Sequence, residues 1–171
     1  MKEFIQRVGG AASGMVIPNI GAFIAWGLIT SLYHENGWVP NGDLFSMVGP
    51  MIVNLLPLLI GYTGGKMIYG HRGGVIGAVV TMAAIVGTDS PQFFGAMLVG
   101  PGAAKVLKEL DARLRDNVPE GFEMLYDNFS SGILGWGLAV FVYSFLANIL
   151  QAVADGLGNF AAGIVDAGLV P

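Results

Sequence analysis

Cysteine is absent from the chain. That excludes disulfides, thiolate-ligated metals and any catalytic or phosphorylated thiol on these residues. Charge is scarce as well. Asp, Glu, Lys and Arg together make up 12% of the residues, about half the share of a soluble domain. The Lys and Arg residues form no uninterrupted basic block and the net charge is −4, so binding to nucleic acid has no footing. Of the two histidines, His34 has only Glu35 beside it and His71 sits in a turn without acidic neighbours. Neither pattern supplies a set of metal ligands, and neither a metal nor a cofactor is expected.

What fills the chain instead is apolar, with 54% hydrophobic residues. Leu44 to Gly65 runs twenty-two residues without a charge, Asn128 to Ala154 twenty-seven, and Met15 to Tyr33 adds a third such run. A helix of about 20 apolar residues covers the roughly 30 Å hydrocarbon core of a bilayer. The reading is an all-α integral membrane protein with the lipid bilayer as its solvent. About three full transmembrane helices are expected, over residues 14–33, 47–63 and 130–151. The 27 glycines then indicate close helix packing rather than flexibility. The run from Met15 exceeds the apolar region of a signal peptide and lacks a small-residue cleavage site, so it reads as a retained first helix. Amphipathic surface helices are expected at the polar N-terminal lead-in (1–13), in the loop 105–127 and in the tail 152–171.

Orientation follows from Lys and Arg in short loops. The lead-in carries Lys2 and Arg7, and the turn 64–74 carries Lys66 and Arg72; the loop 34–46 between them has none. Both basic segments, and with them the N-terminus, are therefore expected in the cytoplasm. Residues 74–104 are less regular. Asp89 divides them into two uncharged halves, each too short as a helix to cross the core. Lys105, Lys108, Arg113 and Arg115 follow, returning the chain to the cytoplasmic side. A re-entrant helical hairpin with its tip at Thr88-Asp89-Ser90-Pro91 satisfies both facts. A single tilted crossing, which would place the loop 105–127 outside, is the alternative.

Asp89 is the most suggestive polar residue. A carboxylate at membrane depth costs about 2.5–3.5 kcal/mol at a helix centre and usually faces a cavity or a partner. It is either a hydroxyl-binding group at the tip or, with Ser90, the cap of the following helix. Asn19 follows Pro18, and Asn54 precedes Pro57. Amides beside proline kinks can satisfy the freed carbonyls, or bind a polyol, since they both donate and accept. Thr88 and Asn128 complete the candidate binding set of Asp89, Thr88, Asn54, Asn19 and Asn128. Gly61 to Lys66 falls short of a phosphate-binding loop, because the first glycine is too near and Met67 stands where a hydroxyl residue is needed. No catalytic residue is expected.

As a set, these residues resemble the mannitol-specific membrane component (enzyme IIC) of the bacterial sugar phosphotransferase system. The resemblance is carried by Val16-Ile-Pro-Asn-Ile-Gly-Ala-Phe-Ile-Ala-Trp-Gly27, Leu56-Pro-Leu-Leu-Ile-Gly-Tyr-Thr-Gly-Gly-Lys66 and Arg72-Gly-Gly-Val-Ile-Gly-Ala78. It continues in Ile85-Val-Gly-Thr-Asp-Ser-Pro91 and in Gly121-Phe-Glu-Met-Leu with Asn128-Phe-Ser130 behind it. It implies a dimer in the bacterial inner membrane that moves mannitol, or a related hexitol, inward. A cytoplasmic phosphocysteine-carrying IIB domain would phosphorylate the sugar. The Gly-Ile-His-Glu string associated with sugar binding in the family's second half does not occur in these residues. The chain is therefore expected to be the N-terminal half of one such membrane domain. It would be either part of a translocating component or a non-transporting dimerisation and scaffold half.

Overall fold

The computed structural model describes residues 2–166; residue 1 of the lead-in and residues 167–171 of the tail lie outside the described residues. The described chain is helical, with no strand. Helix α1 (Lys2–Val16) passes through a 3-10 turn at Ile17–Asn19 into α2 (Ile20–Tyr33). Pro18 has no amide hydrogen to continue the ladder, and the Ile20 amide bonds back to the Ile17 carbonyl instead. Short helices α3 (Gly42–Phe45) and α4 (Val48–Pro50) lead into a π turn at Met51–Leu55. Then come α5 (Leu56–Val86), α6 (Phe93–Leu114) and α7 (Glu123–Phe141). A second π turn, Val142–Leu146, joins α7 to α8 (Ala147–Asp166).

Among the described residues, three segments are long and apolar enough to cross a membrane: Gln6–Tyr33, Gly42–Val86 and Glu123–Val165. Their outer faces carry exposed Ile20, Ile24, Leu28, Ile133, Trp136 and Val140, among others. Such a surface suits lipid and not water. The chain is thus the multi-pass, all-α membrane protein that its uncharged runs require.

Helix α5 is two antiparallel arms rather than one rod. Tyr69 and Gly70 leave helical geometry, and Gly70 takes a φ of +56°, where only glycine sits without strain. The backbones of Gly61 and Gly77 touch, as do those of Gly65 and Gly73. In a straight helix the first pair would be about 24 Å apart. The second arm turns again at Gly87–Gln92 and α6 runs back along it, with Gly73 against Ala104 and Gly77 against the Gly100 carbonyl. A helical hairpin occupies 71–114, as the break at Thr88-Asp89-Ser90-Pro91 implies. Helix α6 continues through Leu114, so residues 105–114 of the expected polar loop 105–127 belong to the hairpin.

Gly61, Gly77 and Gly100 meet where three helical segments cross, and Pro101 rests on Gly64. Around them Ile76, Val80, Ala84, Val99, Ala103 and Leu107 form the core, closed on one side by Val142 and Leu150. Met15, Ile60 and Ala96 make a second cluster that fastens α1 to the bundle. Small residues are what permit this: without a hydrophobic force between helices in lipid, association rests on close backbone packing.

Candidate functional site

Two polar centres lie at opposite ends of the hairpin. The arm from Arg72 to Val86 separates them by about 20 Å.

The first is the tip. The Thr88 hydroxyl donates to the Ala84 carbonyl at 2.9 Å, closing the arm. The Asp89 amide and the Ser90 hydroxyl both donate to Oε1 of Gln151 on α8, at 3.0 and 3.2 Å. Gln151 in turn donates to Asp155 at 2.8 Å. Gln92, fully buried, donates to the Ser90 hydroxyl at 3.4 Å. Gly87 packs on Ala147 and Tyr143, so protein covers one side of the tip while Asp89 and Pro91 stay exposed. Helix α6 starts at Phe93, with Gln92 in the cap position and no side-chain cap bond. The capping alternative for Asp89 and Ser90 is therefore not realised, and the Asp89 side chain is exposed.

The second centre ties the other end together. Asp111, only 3% exposed, accepts from the Tyr69 hydroxyl at 2.8 Å, from the Tyr126 hydroxyl at 3.1 Å and from Arg72. Arg72 also donates to the Ser130 hydroxyl at 2.9 Å and to the Asp127 carbonyl at 3.1 Å, and its guanidinium lies 3.1 Å from the Asp127 carboxylate. Arg115 holds the other Asp127 oxygen at 3.0 Å. The neighbouring Tyr69 hydroxyl, and after it Asp127, raise the pKa of Arg115. Two arginines and two aspartates thus join α5, α6 and α7, with their charges balanced. His71 reinforces the reversal, its Nδ1 lying 3.1 Å from the Tyr62 hydroxyl.

The five candidate residues do not converge. Thr88 and Asp89 share the tip. Asn19 lies in the 3-10 turn, where its amide donates to the Met15 carbonyl (2.8 Å), the Leu59 carbonyl (3.2 Å) and the Thr63 hydroxyl (2.8 Å). Asn19 thereby both satisfies a kink carbonyl and fastens the α1–α2 kink to α5. Replacing Asn19 with alanine is expected to lower stability by about 1–2 kcal/mol, the loss of a small set of net hydrogen bonds, read from thermal unfolding in detergent micelles. Asn54 sits half-buried in the first π turn. Asn128 is exposed beside Asp127 at the far end. Two grooves beside the hairpin, one of about 510 Å³ along Val79, Met82 and Tyr143 and one of about 330 Å³ along Leu98, Val99 and Phe141, are apolar and take in none of the five.

Sequence reasoning missed Asp111, Gln92 and Gln151. Asp111 had a readable signal. It continues the buried stripe of Ala103, Ala104 and Leu107 at helical spacing, and a carboxylate in a core stripe requires a partner. Gln151 and Gln92 carried no such mark, since their meeting at the tip depends on how α8 docks.

Comparison with known proteins defines the class. A family profile described as phosphotransferase system, EIIC matches residues 13–170. The chain belongs to this EIIC family of phosphotransferase-system membrane components. Among individual relatives, it is 51% identical over 167 residues to the mannitol-specific EIICB component of Geobacillus stearothermophilus, covering 98% of this chain and 36% of that protein. The mannitol-specific EIICB component of Bacillus subtilis is 48% identical over 171 residues, which is all of this chain and 36% of the relative. The mannitol-specific EIICBA component of Escherichia coli K12 is 50% identical over 164 residues, 96% of this chain and 25% of the relative. The chain therefore spans about a third or less of the length of these curated relatives. No solved structure matches it.

Proposed function

We propose that this chain forms the N-terminal part of a membrane component that carries mannitol, or a related hexitol, across the bacterial inner membrane for phosphorylation by a cytoplasmic IIB domain. The observation that carries this reading is the 51% identity to a mannitol-specific component across 98% of the chain. Family-level matches alone would leave the sugar open. Phosphoryl transfer belongs to the partner's thiolate, since these residues hold no cysteine. The purified chain with phosphoenolpyruvate and mannitol is expected to make no mannitol phosphate.

Within this proposal the hairpin enters the membrane from the cytoplasm and returns to it. Lys66, Arg72, Lys105, Lys108, Arg113 and Arg115 gather at its open end, and α1 carries Arg7 beyond Met67 to the same end. The second arm of α5 rises only about 24 Å, less than the hydrocarbon core. The tip then sits below the outer surface, where Asp89 and Thr88 offer acceptors and donors for hydroxyl groups in a mostly dry environment. Alkaline phosphatase fused at Asn117 is expected to be inactive, and at Trp38 active. Activity at Asn117 would place the open end of the hairpin outside and overturn this orientation; the single tilted crossing of 74–104 is already excluded by Gly73 lying against Ala104.

Dispersal of Asn19, Asn54 and Asn128 favours a second role for the same residues. They act as a scaffold and dimer-forming half, with another part of the transporter completing the sugar site. A chimera tests both readings. This chain, replacing the matching 167 residues of the Geobacillus stearothermophilus protein, is expected to restore mannitol uptake to cells lacking it. Asp89→Leu in that chimera is expected to cut uptake at least about tenfold, as loss of a hydroxyl-binding group does. Uptake unchanged by Asp89→Leu points to the scaffold role; no uptake at all rejects the transport reading.

A further inference from the structure

Where the first arm of α5 ends, a groove of about 510 Å³ opens between it and α6. Its walls are Met67 and Ile68 on α5, and Lys105, Lys108, Glu109 and Ala112 on α6. Met67 is 53% exposed and Ile68 39%, next to the last residues of an uncharged run that ends at Gly65. Apolar side chains and lysines side by side at this depth are the pattern of a lipid headgroup region. Gly65 and Ala104 both meet Gly73, so Met67 and Ile68 stand level with Lys105, and a ligand in the groove meets apolar surface and charge together, as the glycerol and phosphate of a lipid do.

We propose that this groove seats one anionic phospholipid. Its phosphodiester lies between Lys105 and Lys108, and its glycerol and first acyl methylenes rest on Met67 and Ile68. The charges match: two ammonium groups less the Glu109 carboxylate leave one positive charge for the single negative charge of a phosphodiester. Flexible lysine stems can lie along the apolar wall while their ammonium groups reach the phosphate. Lys66 on α5 and Arg7 on α1 add positive potential at the same end without lining the groove. The proposal needs the chain to be a membrane protein but does not depend on which sugar it carries.

Native mass spectrometry of the purified full chain in a neutral detergent tests it. The probes are phosphatidylglycerol and phosphatidylcholine with identical acyl chains. The wild-type chain is expected to retain one phosphatidylglycerol with at least about tenfold preference, the scale of two basic side chains at a lipid surface. Lys105→Gln/Lys108→Gln is expected to bring the two lipids close to parity. Arg7→Gln/Arg113→Gln removes the same charge outside the groove and is expected to keep the preference. Equal retention of both lipids by the wild type, or equal loss in the two double variants, overturns the site. Displacement of phosphatidylglycerol by glycerol phosphate at equal concentration overturns the lipid as occupant, because the apolar wall would then contribute nothing.

Discussion

Asp111→Leu is expected to destabilise the folded chain by about 3–5 kcal/mol, the cost of leaving a buried charge without its partner. Asp111 lies buried where α5 reverses, and it receives Arg72, Tyr69 and Tyr126 together. Without it, Arg72 is left with Asp127 and Ser130, and two phenolic hydroxyls lose their acceptor. Arg72 is mostly buried, its side chain 20% exposed, so water cannot fully replace the carboxylate. Arg72→Met/Asp111→Leu is expected to recover most of the loss, because removing both charges removes the desolvation penalty along with the attraction. Asp127 keeps Arg115 in that variant. Thermal unfolding in micelles, followed by circular dichroism, reads all three proteins. A double variant no more stable than Asp111→Leu would mean that packing, not charge pairing, makes this position matter.

The same network shows what could be read from sequence and what could not. Uncharged runs set the solvent and the helical class, because only length and hydropathy enter that inference. The break at Thr88–Pro91 was legible because Asp89 and Pro91 both disfavour an apolar helix there. Positive charges in short loops led the 64–74 turn to be read as a cytoplasmic end. What escaped was the direction of individual side chains. Arg72 enters the sequence reading only as a basic residue of the 64–74 turn, yet it points inward, because Asp111 arrives 39 residues later on α6. Asn19 was legible as a kink amide, since Pro18 stands beside it; its bonds to Leu59 and Thr63 depend on how α1 docks. The binding set was chosen by residue type along the chain. Residue type does not reveal that Asn128 falls at one end of the hairpin and Asp89 at the other. Gln151 was invisible for the same reason: nothing local marks a glutamine as the acceptor for a turn 62 residues away.

The second large effect is expected at the glycine crossing, and its sign is the informative part. Gly77→Ala would gain about 1 kcal/mol if helix propensity alone decided. In this fold the added Cβ would lie 2.7 Å from the Gly61 carbonyl oxygen, 3.2 Å from that of Gly100 and 3.3 Å from the Gly65 Cα. Every one of those atoms is backbone, so no rotamer change relieves the clash, and the arms of α5 must separate from α6. Gly77→Ala is therefore expected to cost at least the about 1–3 kcal/mol of overpacking, and Gly77→Leu to abolish recovery of folded protein. Gly132→Ala on α7 has nothing within 4 Å of the new Cβ and is expected to be neutral or slightly stabilising. Thermal unfolding of Gly77→Ala and Gly132→Ala in the same detergent compares them directly. Opposite signs establish that close backbone approach holds the hairpin together, as expected where lipid supplies no hydrophobic drive between helices. A stabilised Gly77→Ala would show that the arms are not in contact at Gly61, and the reversal at Tyr69–Gly70 would lose its main support.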